Sequence, residues 1–126
     1  MIQCRFKIEP VAKGRPRFGR GVAFTPKKTR VFEHAVNLMA KHHARLNNVE
    51  PMQGPLEVMV MFYLTKPKTV KRDVPAVKPD LENLVKSVFD ACNGVFWGDD
   101  SQIVMISCSK AYAPNQGYID LYVKKL

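Results

Sequence analysis

The chain has 126 residues, 46% hydrophobic and 25% charged, with 20 Lys and Arg against 11 Asp and Glu, a formal net charge of +9. That length fits one domain with a modest core. The longest unbroken apolar run, Val58 to Leu64, is far too short to span a membrane, and the excess of positive charge points to a polyanionic partner.

Ile2, Cys4, Phe6 and Ile8 alternate with Gln3, Arg5, Lys7 and Glu9, the period of a strand with one buried face, and Pro10 ends it. Such alternation is unlike the apolar block of a signal peptide. The stretch from Gly14 to Gly21 is too rich in glycine, proline and charge for a regular element; it reads as a basic loop or hairpin tip, with Val22 to Phe24 a short returning strand. Thr25-Pro26 reads as a helix start, Thr at the N-cap and Pro in the first turn. That helix runs from Lys27 to about Arg45 and places Val31, Phe32, Ala35, Leu38, Met39 and His42 on one arc. His42 and His43 point about 100° apart on it, which disfavours a shared metal. Leu56 to Leu64 is apolar on both alternating sets except at Glu57, so a strand covered on both faces is expected.

Lys66 to Lys78 is a Pro- and Lys-rich connection. Pro79 then fits the start of a second helix over Asp80 to about Cys92. Leu81, Leu84, Val85, Val88, Phe89, Ala91 and Cys92 fill one side of its wheel, while Glu82, Lys86 and Asp90 stack one turn apart on the other. Asn93-Gly94 stops it. Phe96 to Asp100 makes a tight connection into a strand over Ile103 to Ser109, and a last strand carries Ile119, Leu121 and Val123 on one face. Pro114 to Gly117 is expected to join these two strands as a hairpin. The order gives an α+β fold, a small mixed and largely antiparallel sheet with two helices packed on it, as a single domain over residues 1–126.

The charges are unevenly placed. Residues 1–45 carry eleven Lys and Arg against Glu9 and Glu33, and residues 66–78 carry five against Asp73. A solvated face tuned for solubility explains one such cluster; two favour a nucleic acid. Five of the eleven acids lie between Asp80 and Asp100. A tight acidic knot in a basic protein fits a divalent-metal site set into a nucleic-acid surface, the arrangement that phosphodiester hydrolysis requires. Whether Asp80 and Glu82 meet Asp99 and Asp100 is open at this level: they meet if the connection returns along the helix, and stay apart if the strand simply packs back. Plainer readings also exist. Asp80 suits an N-cap, Glu82 and Lys86 suit a surface ion pair, Asp90 suits a surface position, Asp99-Asp100 suit a turn, and Phe96 and Trp97 suit core plugs. Cys4, Cys92 and Cys108 are odd in number and lack a CxxC pair; they read as reduced, buried thiols of a cytosolic protein and not as a zinc site.

The run from Lys78 to Lys86 (KPDLENLVK), followed by Phe89-Asp90-Ala91, Asn93-Gly94 and Phe96 to Ile103 (FWGDDSQI), resembles the signature of the RusA family of Holliday junction resolvases. The Gly14 to Arg17 loop and the element order are similar too. The resemblance implies a small homodimeric, magnesium-dependent endonuclease, with manganese as a substitute ion. Such an enzyme cuts four-way DNA junctions by paired symmetric nicks, leaving 5′-phosphate and 3′-hydroxyl ends. It implies that the acids converge, with Asp80, Glu82 and Asp100 at the positions of metal-binding carboxylates. Asp99 is their neighbour, and Lys86 stands at the position of a catalytic lysine. Glu82 departs from the Asp common in that family. Lys13, Arg15, Arg17 and Arg20 are candidates for holding DNA phosphates, as are Lys66, Lys68, Lys71, Arg72 and Lys78 of the later connection. Rival expectations are a metal nuclease of flap or duplex DNA, and a nucleic-acid-binding domain without catalysis.

Overall fold

The longest apolar alternation in the sequence builds the inside of a four-stranded sheet. In the computed structural model, which describes residues 1–126, the elements are β1 (Ile2–Phe6), β2 (Arg17–Gly19), β3 (Val22–Phe24), α1 (Lys27–Leu46), β4 (Leu56–Thr65), α2 (Leu81–Cys92), β5 (Ile103–Ala113) and β6 (Tyr118–Lys125), with one 3-10 turn over Asp100–Gln102. The sheet order is β1-β6-β4-β5. β6 is antiparallel to both β1 and β4, and β5 is parallel to β4. The sheet is therefore mixed and mostly antiparallel, and the fold is α+β, as the element order predicts.

Alternate residues of three strands face the two helices: Ile2, Cys4 and Phe6 of β1; Leu56, Val58, Val60 and Phe62 of β4; Ile119, Leu121 and Val123 of β6. α1 adds Phe32, Val36 and Ala40, and α2 adds Leu84, Val85, Val88, Phe89, Ala91 and Cys92. The apolar side read from the α2 wheel is the side that is buried. That of α1 is rotated from the expected arc, with Thr29, Phe32, Val36 and Ala40 inward and Val31, Leu38 and His42 exposed. α1 packs against both β1 and α2, and on the α2 side Asn37 Nδ2 donates to the Ala91 carbonyl at 2.9 Å. Nor does Thr25 cap α1, whose N-cap is Pro26 with no side-chain hydrogen bond.

Two further expectations are corrected. β4 is covered on one face only: Met59 on the other is 44% exposed, and Glu57, Met61 and Tyr63 are half-buried. Tyr63 stacks on Tyr118 there, with ring centroids 4.3 Å apart, and the Arg5 guanidinium lies over Tyr118 while pairing with Asp120 at 2.7 Å. Secondly, β5 and β6 do not form a hairpin, because β4 runs between them. The Pro114–Gly117 link must span two strand spacings, roughly 10 Å, which four residues can reach. It crosses the end of β4, where the Gly117 amide donates to Thr65 Oγ1 at 3.1 Å. A Cβ on Gly117 would lie 2.7 Å from the Tyr63 carbonyl oxygen, so the crossing requires glycine.

β2 and β3 form a separate two-stranded hairpin whose tip, Arg20-Gly21, has positive φ at both residues (52° and 76°). That is the two-residue turn whose twist suits a tight hairpin. Cys4 and Cys92 are buried, as expected, but Cys108 is exposed because it lies on β5, at the sheet edge.

Candidate active site

α2 supplies the first half of the site. Its buried side is anchored under the sheet, which leaves Asp80, Glu82 and Lys86 exposed on the opposite side. Asp80 is the N-cap residue, yet its side chain caps nothing, and the plain reading of it as a helix cap fails. Glu82 forms no ion pair with Lys86. The lysine reaches instead to Asp90 Oδ1 at 3.2 Å and to Asp100 Oδ2 at 3.8 Å. Two carboxylates at the start of α2 are thus clear of protein partners in a chain with twenty basic residues.

The second half is built by the turn after α2. Asn93 ends the helix and Gly94 takes φ +82°. Phe96 and Trp97 then enter the core completely, as expected of plugs, and Trp97 Nε1 donates to Asn93 Oδ1 at 2.6 Å. Gln102 staples this turn to the segment just before β4. Its Oε1 accepts from the amides of Gly98 and Asp99 at 2.8 and 3.0 Å, and its Nε2 donates to the carbonyls of Met52 and Gly54 at 2.9 and 3.0 Å. Held this way, the connection folds back on the flank of α2 and sets Asp100 beside Lys86. These contacts bring Asp100 to Lys86 in the middle of α2, and none of them brings it to Asp80 or Glu82.

Asp99 has a different position. Its carboxylate accepts from the Ser101 amide at 3.1 Å and caps the 3-10 turn. The hydrogen bonds from Ser101 hold its pKa below the usual carboxylate range. No three His, Cys, Asp or Glu side chains come together as a metal-holding group. Asp80, Glu82 and Asp100 are all carboxylate donors, which suit a hard divalent ion by their chemistry. Lys86 remains cationic: its hydrogen bond to Asp90 raises its pKa.

The basic residues separate into groups. Arg15, Arg17, Arg72 and Lys78 line a cavity of about 690 Å³ whose wall also includes Pro79, the residue before Asp80. Tyr112 sits in its wall and accepts from Arg72 Nε at 2.9 Å, with Lys66 Nζ 5.6 Å from its ring centroid. Lys28 also lines this cavity. The sequence reading passed over it, although its place in the first turn of α1, directly after the basic hairpin, was a usable signal. Arg20 is at the hairpin tip, and Lys68 and Lys71 are exposed on the connection. Lys13 stands apart from the others. Its Nζ contacts Glu33 at 2.7 Å and Asp90 at 3.2 Å. Burial opposes its charge, but the hydrogen bonds to Glu33 and Asp90 outweigh that and raise its pKa. Asp90, expected to be a plain surface acid, is therefore bound by two lysines. Lys110 was missed altogether: from β5 its Nζ donates to the carbonyls of Val77 and Pro79 at 2.6 and 2.8 Å, fixing the backbone just ahead of Asp80.

Two unpaired carboxylates at the start of α2, a lysine that meets Asp100 on the same helix, and a cationic cavity whose wall includes Pro79 suit a hydrolase of a polyanion. The chain matches the family described as Endodeoxyribonuclease RusA over residues 7–123. It is also similar to a Bacillus subtilis (strain 168) protein named "Uncharacterized protein YqaN", with 36% identity over 121 residues and 83% of each chain covered. The chain belongs to the RusA endodeoxyribonuclease family and is a hydrolase acting on DNA. RusA enzymes are Holliday junction resolvases of DNA recombination; they act on branched DNA and are in general divalent-metal dependent. No helix of this chain is long and apolar enough to cross a membrane.

Proposed function

We propose that residues 1–126 act as one endonuclease domain that resolves four-way DNA junctions by paired, symmetric nicks, using magnesium or manganese. The observation that carries this reading is the approach of Lys86 and Asp100, 3.8 Å apart, on the flank of the helix that begins with the unpartnered Asp80 and Glu82. Asp80, Glu82 and Asp100 would hold the divalent ion, which supplies acidification of a water and neutralisation of charge on the phosphate. Lys86 contributes a fixed positive charge where negative charge builds on the phosphate. Asp99 shapes the turn that presents Asp100. Arg15, Arg17, Lys28, Arg72 and Lys78 draw the DNA backbone into the cavity they line, and contacts of this kind position without reading sequence.

Paired nicks need two sites related by a two-fold axis, so the active form is a homodimer. The outer edge of β5 supports this. From Ile103 to Ser109 it carries no charge, and Val104, Met105 and Ile106 are 60%, 51% and 51% exposed. An uncharged, apolar strand edge is a template for pairing, and two antiparallel β5 strands would be self-complementary. The cytoplasm is the compartment proposed, in keeping with three free thiols.

The test offers purified protein a labelled four-way junction, a flap and a linear duplex, each with magnesium and with chelator, alongside Asp80→Asn and Lys86→Ala. Symmetric nicking of the junction alone, lost in both variants while binding persists, is the expected result. Equal cutting of all three substrates would replace it with a general metal nuclease. Binding without cutting in magnesium, and again with manganese in its place, would leave only a DNA-binding protein.

A further inference from the structure

A helix offers Lys86 two partners on its own face, Glu82 one turn before it and Asp90 one turn after it. The better of these orientations, in an isolated helix, has the acid on the N-terminal side. Local preference therefore selects Glu82. The structure shows the opposite choice: Lys86 Nζ is 3.2 Å from Asp90 Oδ1, and no contact with Glu82 is made. Something outside α2 must tip the balance.

Two groups do so: Asp100, which attracts Lys86 at 3.8 Å, and Lys13, which orders the Asp90 carboxylate although its own charge opposes that of Lys86. Lys13 Nζ lies 3.2 Å from Asp90 Oδ2, so the two oxygens of Asp90 are taken by two different lysines. Lys13 is itself fixed at two points, and its neighbour Val11 at a third. Glu33 of α1 accepts from its Nζ at 2.7 Å, its backbone amide donates to the Asn83 carbonyl of α2 at 2.8 Å, and Ser87 Oγ donates to the carbonyl of nearby Val11 at 2.6 Å. Charges alternate along Glu33, Lys13, Asp90, Lys86 and Asp100. The inner members are partly buried, with the Lys13 side chain 24% and that of Asp90 23% exposed, while Lys86 at the working end is 57% exposed. Asp90 is thus ordered by a cation that α1 and the root of the basic hairpin hold in place.

We propose that Asp90, ordered by Lys13 and Glu33, is a positioning residue that holds the Lys86 ammonium away from Glu82 and toward Asp100. The consequence is twofold. Lys86 is aimed at the phosphate side of the site, and the Glu82 carboxylate is left free for a cation. Ion pairs at this degree of exposure add little to stability, so the arrangement has its effect on cleavage and not on folding. This inference rests on the nuclease reading above for its kinetic consequence but not for its geometry.

The test compares wild type with Asp90→Asn, Asp90→Glu, Lys13→Met, Lys86→Met and the double variant Asp90→Asn/Lys86→Met. Single-turnover cleavage of a four-way junction, junction affinity, thermal melting and the ¹⁵N-resolved ammonium signals of the lysines are recorded. Asp90→Asn is expected to slow cleavage at least tenfold, with affinity within twofold and a melting temperature within a few degrees (the magnitude expected of an exposed pair). Asp90→Glu restores most of the rate, and Lys13→Met moves the rate the same way as Asp90→Asn. In the Lys86→Met background Asp90→Asn adds no further loss, because its effect runs through Lys86. A full rate in Asp90→Asn, or an equal additional loss on Lys86→Met, overturns the proposal. Should Asp90→Asn fail to fold, Asp90→Glu and Lys13→Met carry the same comparison. The Lys86 ammonium signal is read without cleavage: it should become as mobile as a surface lysine in Asp90→Asn, and an unchanged signal overturns the proposal. If wild-type protein cuts no junction, the nuclease reading falls while this geometric readout still decides the role of Asp90.

Discussion

Asp99 and Asp100 are neighbours with separate tasks. Asp99 ties its carboxylate to the Ser101 amide, whereas Asp100 points to Lys86. Asp100→Asn should reduce junction cleavage about a hundredfold or more, the scale of losing a group that acts on the developing charge. Asp99→Asn keeps an oxygen to accept from Ser101 and should stay within a few-fold of wild type. Equal losses in single-turnover assays would show that the two share one task. The pKa of Asp99 is depressed in the folded chain, chiefly by its hydrogen bonds from Ser101. Its contribution to the turn is therefore complete above the unfolded carboxyl pKa, about 4, and is lost as pH falls through the lower folded value. Fluorescence of Trp97, the single tryptophan, should report loosening of the turn only below about pH 4.

At the scale of elements, the turn after α2 decides whether the two halves of the site meet. Gln102 holds it with four hydrogen bonds to backbone groups, two within the turn and two in the segment before β4. A hydrogen bond is worth about 1 kcal/mol net, and exposure trims that here. Gln102→Ala should cost about 2 kcal/mol, seen as a lower urea midpoint, and should slow cleavage by releasing Asp100. A stability loss with an unchanged cleavage rate would mean that Asp100 is placed by something else. α2 was legible in advance, because a twelve-residue amphipathic period with an Asn-Gly stop is a local property. So were the core roles of Phe96 and Trp97. Lys110 was not legible: a lysine in the edge strand gains its meaning only when β5 lies beside the connection that ends at Pro79.

At the scale of the whole molecule, two copies of a +9 chain repel each other, so association must occur where charge is absent. The outer edge of β5 meets that condition. Ile106→Lys should convert a dimer into a monomer in light scattering and suppress paired nicking, leaving single nicks. Thiol labelling gives a second readout. Burial, reinforced by Asp120, pushes the Cys4 thiol up to about 11, and burial pushes Cys92 higher still. Neither should label at neutral pH, when a thiol with such a pKa holds almost no thiolate. Cys108 lies on the β5 edge; it should label readily in the Ile106→Lys monomer and slowly in the wild-type dimer. A monomer that nicks opposing strands in concert, or equal Cys108 labelling in both proteins, would exclude this edge as the contact.

Periodicity along the chain by itself determined the helices, the strand segments and the α+β class, because each depends on which residues recur on one face of a local element. The run from Asp80 to Lys86 and the turn from Phe96 to Gln102 likewise marked the acids and the lysine before any contact was known. Tertiary structure alone decided that β4 separates β5 from β6, since strand order follows from competition among distant partners for the most apolar strand. It alone decided that Lys86 turns from Glu82 to Asp90. The helix supplies both choices at equal spacing and favours Glu82; Asp100 and Lys13, the latter seventy-seven residues before Asp90 in the chain, reverse that preference.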